Sequence, residues 1–468
     1  MRRRRGYLLL SSVVALATAL TLAGAAAPTE STGTSSPAAA AVDPNMGRPP
    51  SNAAITPGNY FGYLGRGSAA QLAIRNRVLN TVNSTWGRYV TTPDIPETPA
   101  DETEYARGEI KMATWSFSDS TMKNALAAAR DRGTKVTVVA AKSINNDGAH
   151  PAWPALRNEL NQSGDTTGSS AVECSGACRG AGGTAHSKYF LFNDVGSQHR
   201  RNIVVQTSMN LTRFAYQGQW NQATAMWNEG VYNSFSQVFE LSRRRENGGL
   251  RTYRNGAVDS VFFPRASLSN DVILRALNNT RCKGATAGGI NGRTRVRLIN
   301  YAIYQDRGTA IAKRLRQLWN GGCNVAIIYS VTSRPVLSIL RSRSGRGPVP
   351  MRQSVIKNRR GQIVKYNHSK WLAISGVYSG RGHGAYTTLP GSANWANLSY
   401  TSDEQTQQIF DATWTRPFFS NFATTWSQGT SRPPSYGRVG AGARALNSIP
   451  EQPTWGEGQY KYLSPEGG

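Results

Sequence analysis

Apolar and polar positions alternate with period two along Ile110-Lys111-Met112-Ala113-Thr114-Trp115, which predicts a half-buried strand. A helix over residues 120–132, ended by Gly133, and a second strand over 136–140 follow. An earlier capped helix is predicted over 68–83, with Leu72, Ile74 and Val78 among its apolar positions. Residues 145–185 are Gly/Ser-rich and read as one long loop, a length that often signals function. An aromatic and aliphatic run, Tyr189-Phe190-Leu191-Phe192, and a strand over 203–206 come next. The order then returns: a strand over 296–301, a helix over 309–320 closed by Gly321-Gly322, and a strand over 325–329. A basic loop and the run Trp371-Leu372-Ala373-Ile374 complete it. Strand–helix–strand order in each half predicts an α/β fold with right-handed crossovers. The repeat, with a period near 180 residues, predicts two similar α-β-α sandwich lobes from internal duplication.

Each half also carries chemistry. His186-Ser187-Lys188 stands at the start of the first run and His368-Ser369-Lys370 at the start of the second. Residues two apart in an extended segment point to the same side, so an imidazole and an ammonium share a face in each half. Ser208-Met209-Asn210 lies 24 positions beyond His186 at its asparagine, and Ser392-Ala393-Asn394 lies 26 beyond His368.

Two H-x-K segments, each followed by S-x-N, resemble the duplicated motif of the phospholipase D superfamily over roughly residues 60–427. Gly391-Ser392-Ala393-Asn394 is close to that family's G-S-x-N, whereas Thr207 replaces the first glycine. The family pattern H-x-K-x4-D is broken: the acid's place falls on Asn193, with Asp194 one position late, and on Ser375. In the family that acid helps to fix the fold around the motif. The resemblance implies a phosphodiesterase with its active site at the pseudo-twofold seam, needing no metal and no cofactor. His186 is then the expected nucleophile, forming a phosphohistidine, and His368 the acid, with the reverse assignment open. Lys188, Lys370, Asn210, Asn394, Ser208 and Ser392 suit the stabilisation of charge on phosphoryl oxygens. Asp194 and Glu404 are candidate orienting acids. Asp403-Glu404 follow the second S-x-N, while the matching stretch of the first half is Trp220-Asn221-Gln222. The two histidines are therefore expected to sit in unequal fields.

Charge and composition add context. Lys and Arg number 54 against 27 Asp and Glu, a net +27 that favours anionic partners. Basic clusters occur at Arg243-Arg244-Arg245, over 341–346, and from Arg352 through Lys357, Arg359 and Arg360 to Lys365. They suit a phospholipid membrane surface or a nucleic-acid backbone. Arg2 to Arg5, the apolar run to Leu22 and the small residues after it predict a signal peptide over 1–27, of Sec or twin-arginine type, and hence secretion. An uncleaved anchor is the competing reading. A flexible linker over 28–57, a first lobe over 58–265, a second over 266–427 and a Gly/Pro-rich tail over 428–468 complete the expected organisation of a monomer. Export makes two disulfides the reading of four cysteines, and Cys174–Cys178 with Cys282–Cys323 keeps each bond within one half. Zinc ligation is the lesser alternative. His150, His199 and His383 read as structural, and Trp371, Trp395 and Tyr189 as core or pocket wall. Phospholipid hydrolysis to phosphatidic acid and free head group is the leading expectation. A nuclease, and a phosphate-binding protein without turnover, are the alternatives.

Overall fold

The computed structural model describes residues 47–90, 105–142, 151–434 and 450–465. Residues 1–46, with the expected signal peptide and most of the linker, lie outside them, as does His150. All described residues fall in one unit spanning Asp43–Gly468.

The alternating segment becomes the strand Glu109–Thr114. It pairs in parallel with Lys135–Ala141, which pairs in parallel with Ser170–Cys174. On its other side the first strand pairs antiparallel with Tyr189–Phe192, followed outward by Ile203–Thr207, Gln219–Trp227 and Gly58–Gly62. The second half repeats this order. Arg295–Ile303 pairs in parallel with Asn324–Thr332, which pairs in parallel with Met351–Lys357. Lys370–Tyr378, Gly382–Pro390 and Gln405–Ile409 follow antiparallel on the other side. Ile363–Asn367 joins the two runs, pairing with Met351–Lys357 and in parallel with Gln219–Trp227. The result is a mixed α/β fold with a large central sheet.

Helices cover both faces of that sheet, and this corrects the reading of the first strand as half-buried. Ile110 and Met112 face one apolar core. The other face lies beneath the helix Glu229–Arg243, whose Val231, Phe235, Val238 and Phe239 pack on Ala113 and Trp115. Lys111 is therefore buried, with its Nζ 3.2 Å from Glu109 and 3.3 Å from Glu240. Period-two patterning shows only that the two faces differ; here the polar face is covered and its charges are paired.

Other expectations shift in detail. The first helix is broken into Gly67–Gln71 and Ala73–Asn83. The helix before Gly133 is Ser120–Asp131, capped by the Asp119 carboxylate, which accepts from the Thr121 and Met122 amides. The helix of the second half starts four residues early, at Gln305. The 145–185 stretch holds a helix, Ala152–Leu160, and a strand at the end of the first run, Ser170–Cys174, within its described part. Its glycines and serines flank these elements and hid them. Residues 47–57, expected as linker, are packed at Ile55, whose amide bonds Thr81 Oγ1 and whose carbonyl accepts the Trp227 indole N–H. Cys174–Cys178 and Cys282–Cys323 are at disulfide distance. Trp371, Trp395 and Tyr189 are core residues.

Candidate active site

Both His–Lys pairs sit just where their strands begin: Lys370 opens Lys370–Tyr378, Lys188 immediately precedes Tyr189–Phe192, and each histidine stands two residues before its lysine. All four side chains are buried. Each pair is tied to the opposite half of the chain. His186 N donates to the Asp403 carbonyl at 3.0 Å, and His368 N donates to the Trp220 carbonyl at 2.8 Å. The Gln405 side chain accepts from Lys188 N at 3.2 Å and donates to its carbonyl at 3.1 Å. Gln222 does the same for Lys370, at 3.1 and 3.4 Å. These glutamines escaped the sequence reading. The available signal was their matched placement, immediately after Asn221 and Glu404.

The imidazoles follow the same cross-half rule with different chemistry. His186 Nδ1 lies 2.9 Å from both oxygens of Glu404. The Ser392 hydroxyl donates to the same carboxylate. Burial alone would raise the Glu404 pKa, but the charge and hydrogen bond of His186, the Lys188 ammonium and the Ser392 hydroxyl outweigh it and hold it below the ordinary value. His368 Nδ1 instead donates to Asn221 Oδ1 at 3.1 Å, an oxygen that also accepts from Ser208 Oγ at 2.8 Å. Asn221 Nδ2 is spent on the Ala215 carbonyl at 3.0 Å, which fixes the amide with its oxygen toward His368. Each S-x-N serine thus orients the group that orients the other half's histidine. One such group is a carboxylate and the other a neutral amide. Both Nδ1 atoms are engaged as donors, so any attack or proton transfer by these rings falls to Nε2.

Lys188 Nζ bonds the His186 carbonyl at 2.7 Å, and Lys370 Nζ bonds the His368 carbonyl at 2.8 Å. Aromatic residues at equivalent positions flank the pairs. Trp115 packs edge-on against His186, with Lys188 Nζ 5.8 Å from its ring centre. Tyr301 does so against His368, with Lys370 Nζ at 5.2 Å. These two were also missed, because each ends an ordinary strand pattern.

The S-x-N asparagines differ. Both polar atoms of the Asn210 amide are buried without a hydrogen-bond partner among the described residues. Asn394 Nδ2 donates to the Pro465 carbonyl at 2.8 Å. The backbone at Asn394 is held by the fully buried Arg307, which donates to its carbonyl at 2.7 Å and pairs with Asp271 at 2.8 Å. Asp271→Ala would strand that guanidinium, so a loss of about 3–5 kcal/mol is expected in urea unfolding. A loss under about 1 kcal/mol would show that the pair does not anchor the loop.

The departures from the motif have local explanations. A Cβ on Gly391 would stand 2.5 Å from the Gln405 carbonyl oxygen, whereas Thr207 fits and donates its hydroxyl to the Gln222 carbonyl at 2.7 Å. Asn193 and Ser375, in the place of the motif acids, act through neutral hydrogen bonds. Asn193 accepts from the Glu109 amide and donates to the Arg107 carbonyl at 3.0 Å, and Ser375 donates to the Gly288 carbonyl at 2.6 Å. Asp194 does not reach either motif histidine. It lies beyond the far end of Tyr189–Phe192, where it takes the Tyr89 hydroxyl and faces His199 Nδ1 at 3.0 Å. His383 bonds the Gly284 carbonyl at 2.9 Å. Asp403, beside Glu404, is pushed up to about 6 by burial, against the opposing pull of Arg179.

Among the described residues no group of three or more His, Cys, Asp or Glu could hold a metal ion, and no helix is long and apolar enough to cross a membrane. A cavity of about 680 Å³, lined in part by Arg66, Lys357 and Arg432, lies beside Met351–Lys357 and away from the histidines. Parts of the basic clusters serve the fold itself. Arg352 bonds the Trp426 and Ser431 carbonyls, and Arg346 those of Trp319 and Cys323.

Residues 101–242 match the family model described as cardiolipin synthase, PLD-like domain. Among solved structures, phosphatidylserine synthase from Haemophilus influenzae aligns with a TM-score of 0.51 at 12% identity, covering 83% of this chain and 90% of that one. Polyphosphate kinase from Porphyromonas gingivalis aligns with a TM-score of 0.50 at 13% identity, covering 83% of this chain. The match spans 55% of that kinase, about half its length. No curated protein matches the sequence. Residues 101–242 are therefore similar to a PLD-like domain, and the chain shares its fold with the phosphatidylserine synthase and polyphosphate kinase structures.

Proposed function

We propose that this protein is a phosphodiesterase of phospholipase D type, hydrolysing phospholipid to phosphatidic acid and free head group. The observation that carries the reaction is the unequal pair of histidine partners. Glu404 accepts a hydrogen bond from His186 Nδ1, which assigns the attack to Nε2 of a ring held beside a negative charge. Attack by Nε2 on phosphorus makes a cationic phosphohistidine, which that carboxylate stabilises. Asn221 offers His368 a dipole without a charge, so His368 is assigned the role of acid. In this scheme His368 gives its Nε2 proton to the leaving head-group oxygen as the P–O bond breaks. Neutral His368 then takes a proton from water, whose oxygen attacks phosphorus and releases His186. Lys188, Lys370, Asn210 and Asn394 are assigned to the phosphoryl oxygens.

Phospholipid is favoured because the family model and the Haemophilus structure both bear the names of phospholipid enzymes. The net charge of +27 favours nucleic acid as the second reading. The test is incubation with phosphatidylcholine vesicles and, separately, with plasmid DNA, with His186→Ala as the blank. Choline release supports the first reading. Nicking of DNA without choline release replaces it with the second, and neither product leaves a phosphate-binding protein without turnover.

A further inference from the structure

The segment 450–465 is bound along the second half and ends on the candidate site. Pro450 accepts from Arg334 N at 3.2 Å, Gln452 Oε1 from Gln305 N at 3.3 Å, and Gln459 Oε1 from Lys357 Nζ at 3.2 Å. Trp455 lies against Tyr301 and Tyr304, and Tyr460 and Leu463 are buried in the same cluster. This strap then places two successive carbonyls on the site: Ser464 O takes the Tyr301 hydroxyl and Pro465 O takes the Asn394 amide, both at 2.8 Å. A carbonyl oxygen and a phosphoryl oxygen are both acceptors and compete for the same donors. The equivalent amide of the first half, on Asn210, carries no such competitor among the described residues.

We propose that residues 450–465 are a built-in competitor of the substrate, filling the second-half phosphate seat until a phosphodiester displaces them. The proposal rests on reading Asn394 as a phosphate ligand. Occupancy by the strap lowers apparent affinity by the fraction of time the seat is free. Orthovanadate, a phosphate mimic, tests this on the full chain. Its binding is followed by calorimetry, and the release of the strap by amide hydrogen exchange over 457–465. Saturating vanadate is expected to speed that exchange about tenfold. Trp455→Ala, which removes the strap's aromatic anchor, is expected to bind vanadate about tenfold more tightly and to raise kcat/KM on bis(p-nitrophenyl) phosphate similarly. Gln459→Ala, at the strap's exposed edge, should shift both in the same direction by less, and it serves if Trp455→Ala does not fold. Equal vanadate affinity in all three proteins, or exchange that stays unchanged or slows on binding, would overturn the strap alone. No vanadate binding by any of them would overturn the phosphate seat and the strap together. Vanadate-driven release without turnover of any phosphodiester would leave the strap standing and remove the reaction.

Discussion

His186→Ala is expected to lower kcat on the true substrate by on the order of 10⁴-fold or more, with little change in fold. The imidazole is the proposed attacking group, so its loss removes the covalent route rather than one stabilising contact. His368→Ala should be comparably severe on a substrate with a poor leaving group, such as choline. On p-nitrophenyl esters, whose leaving group needs no proton, it should be milder by about 10²-fold. That contrast assigns the roles. If the substrate with the good leaving group rescues His186→Ala instead, the assignment is reversed. The measurement is single-turnover kinetics on both substrate types, with protein quenched in alkaline detergent, where a P–N bond survives, examined for a phosphoramidate at position 186.

Glu404→Gln is expected to have the next largest effect, a fall in kcat between about 10² and 10⁴-fold, because it keeps the size of the side chain but removes its charge. A neutral amide neither fixes the His186 tautomer as firmly nor stabilises the cationic intermediate. Asn221→Ala, which removes a neutral partner, should cost only about 10 to 100-fold. Equal losses at the two positions would refute the asymmetry. The same substitution has a signature in stability. The Glu404 pKa is depressed in the folded protein from its ordinary 4.5. Its favourable contribution is therefore complete above that ordinary value and is lost as pH falls through the depressed one. The stability difference between the parent and Glu404→Gln, from urea unfolding, should be flat at neutral pH and shrink on acidification below about 4.5. A difference that grows on acidification contradicts the depressed pKa.

Local pattern made the strands and the His–Lys and S-x-N positions legible, because periodicity and motif spacing are properties of short stretches. The pairing of an acid after the second S-x-N with a histidine was also readable as a possibility, since Glu404 and Asn221 occupy matched places. What stayed hidden depends on distant packing. Lys111 looks like a solvent-facing strand residue until the helix Glu229–Arg243 is laid over it. Trp115 and Tyr301 look like core residues until the fold sets each beside a histidine. The strap was legible only as part of a Gly/Pro-rich tail with single aromatics, whose composition did not require it to pack on the body. Its few aromatics, Trp455 and Tyr460, bind it because a cluster around Tyr301 and Tyr304 is waiting for them.

The crossing of partners between halves also sets when activity can begin. During synthesis the first His–Lys pair is made more than 200 residues before Glu404 and Gln405, the groups that orient His186 and bracket Lys188. A nascent chain holding a folded first half would carry an imidazole with no carboxylate and a lysine with no clamp. On the proposed function, chemistry on phosphodiesters would thereby be withheld until the second half has been made and docked. The arrangement would then act as a timer, keeping the site incomplete while the chain is still being produced.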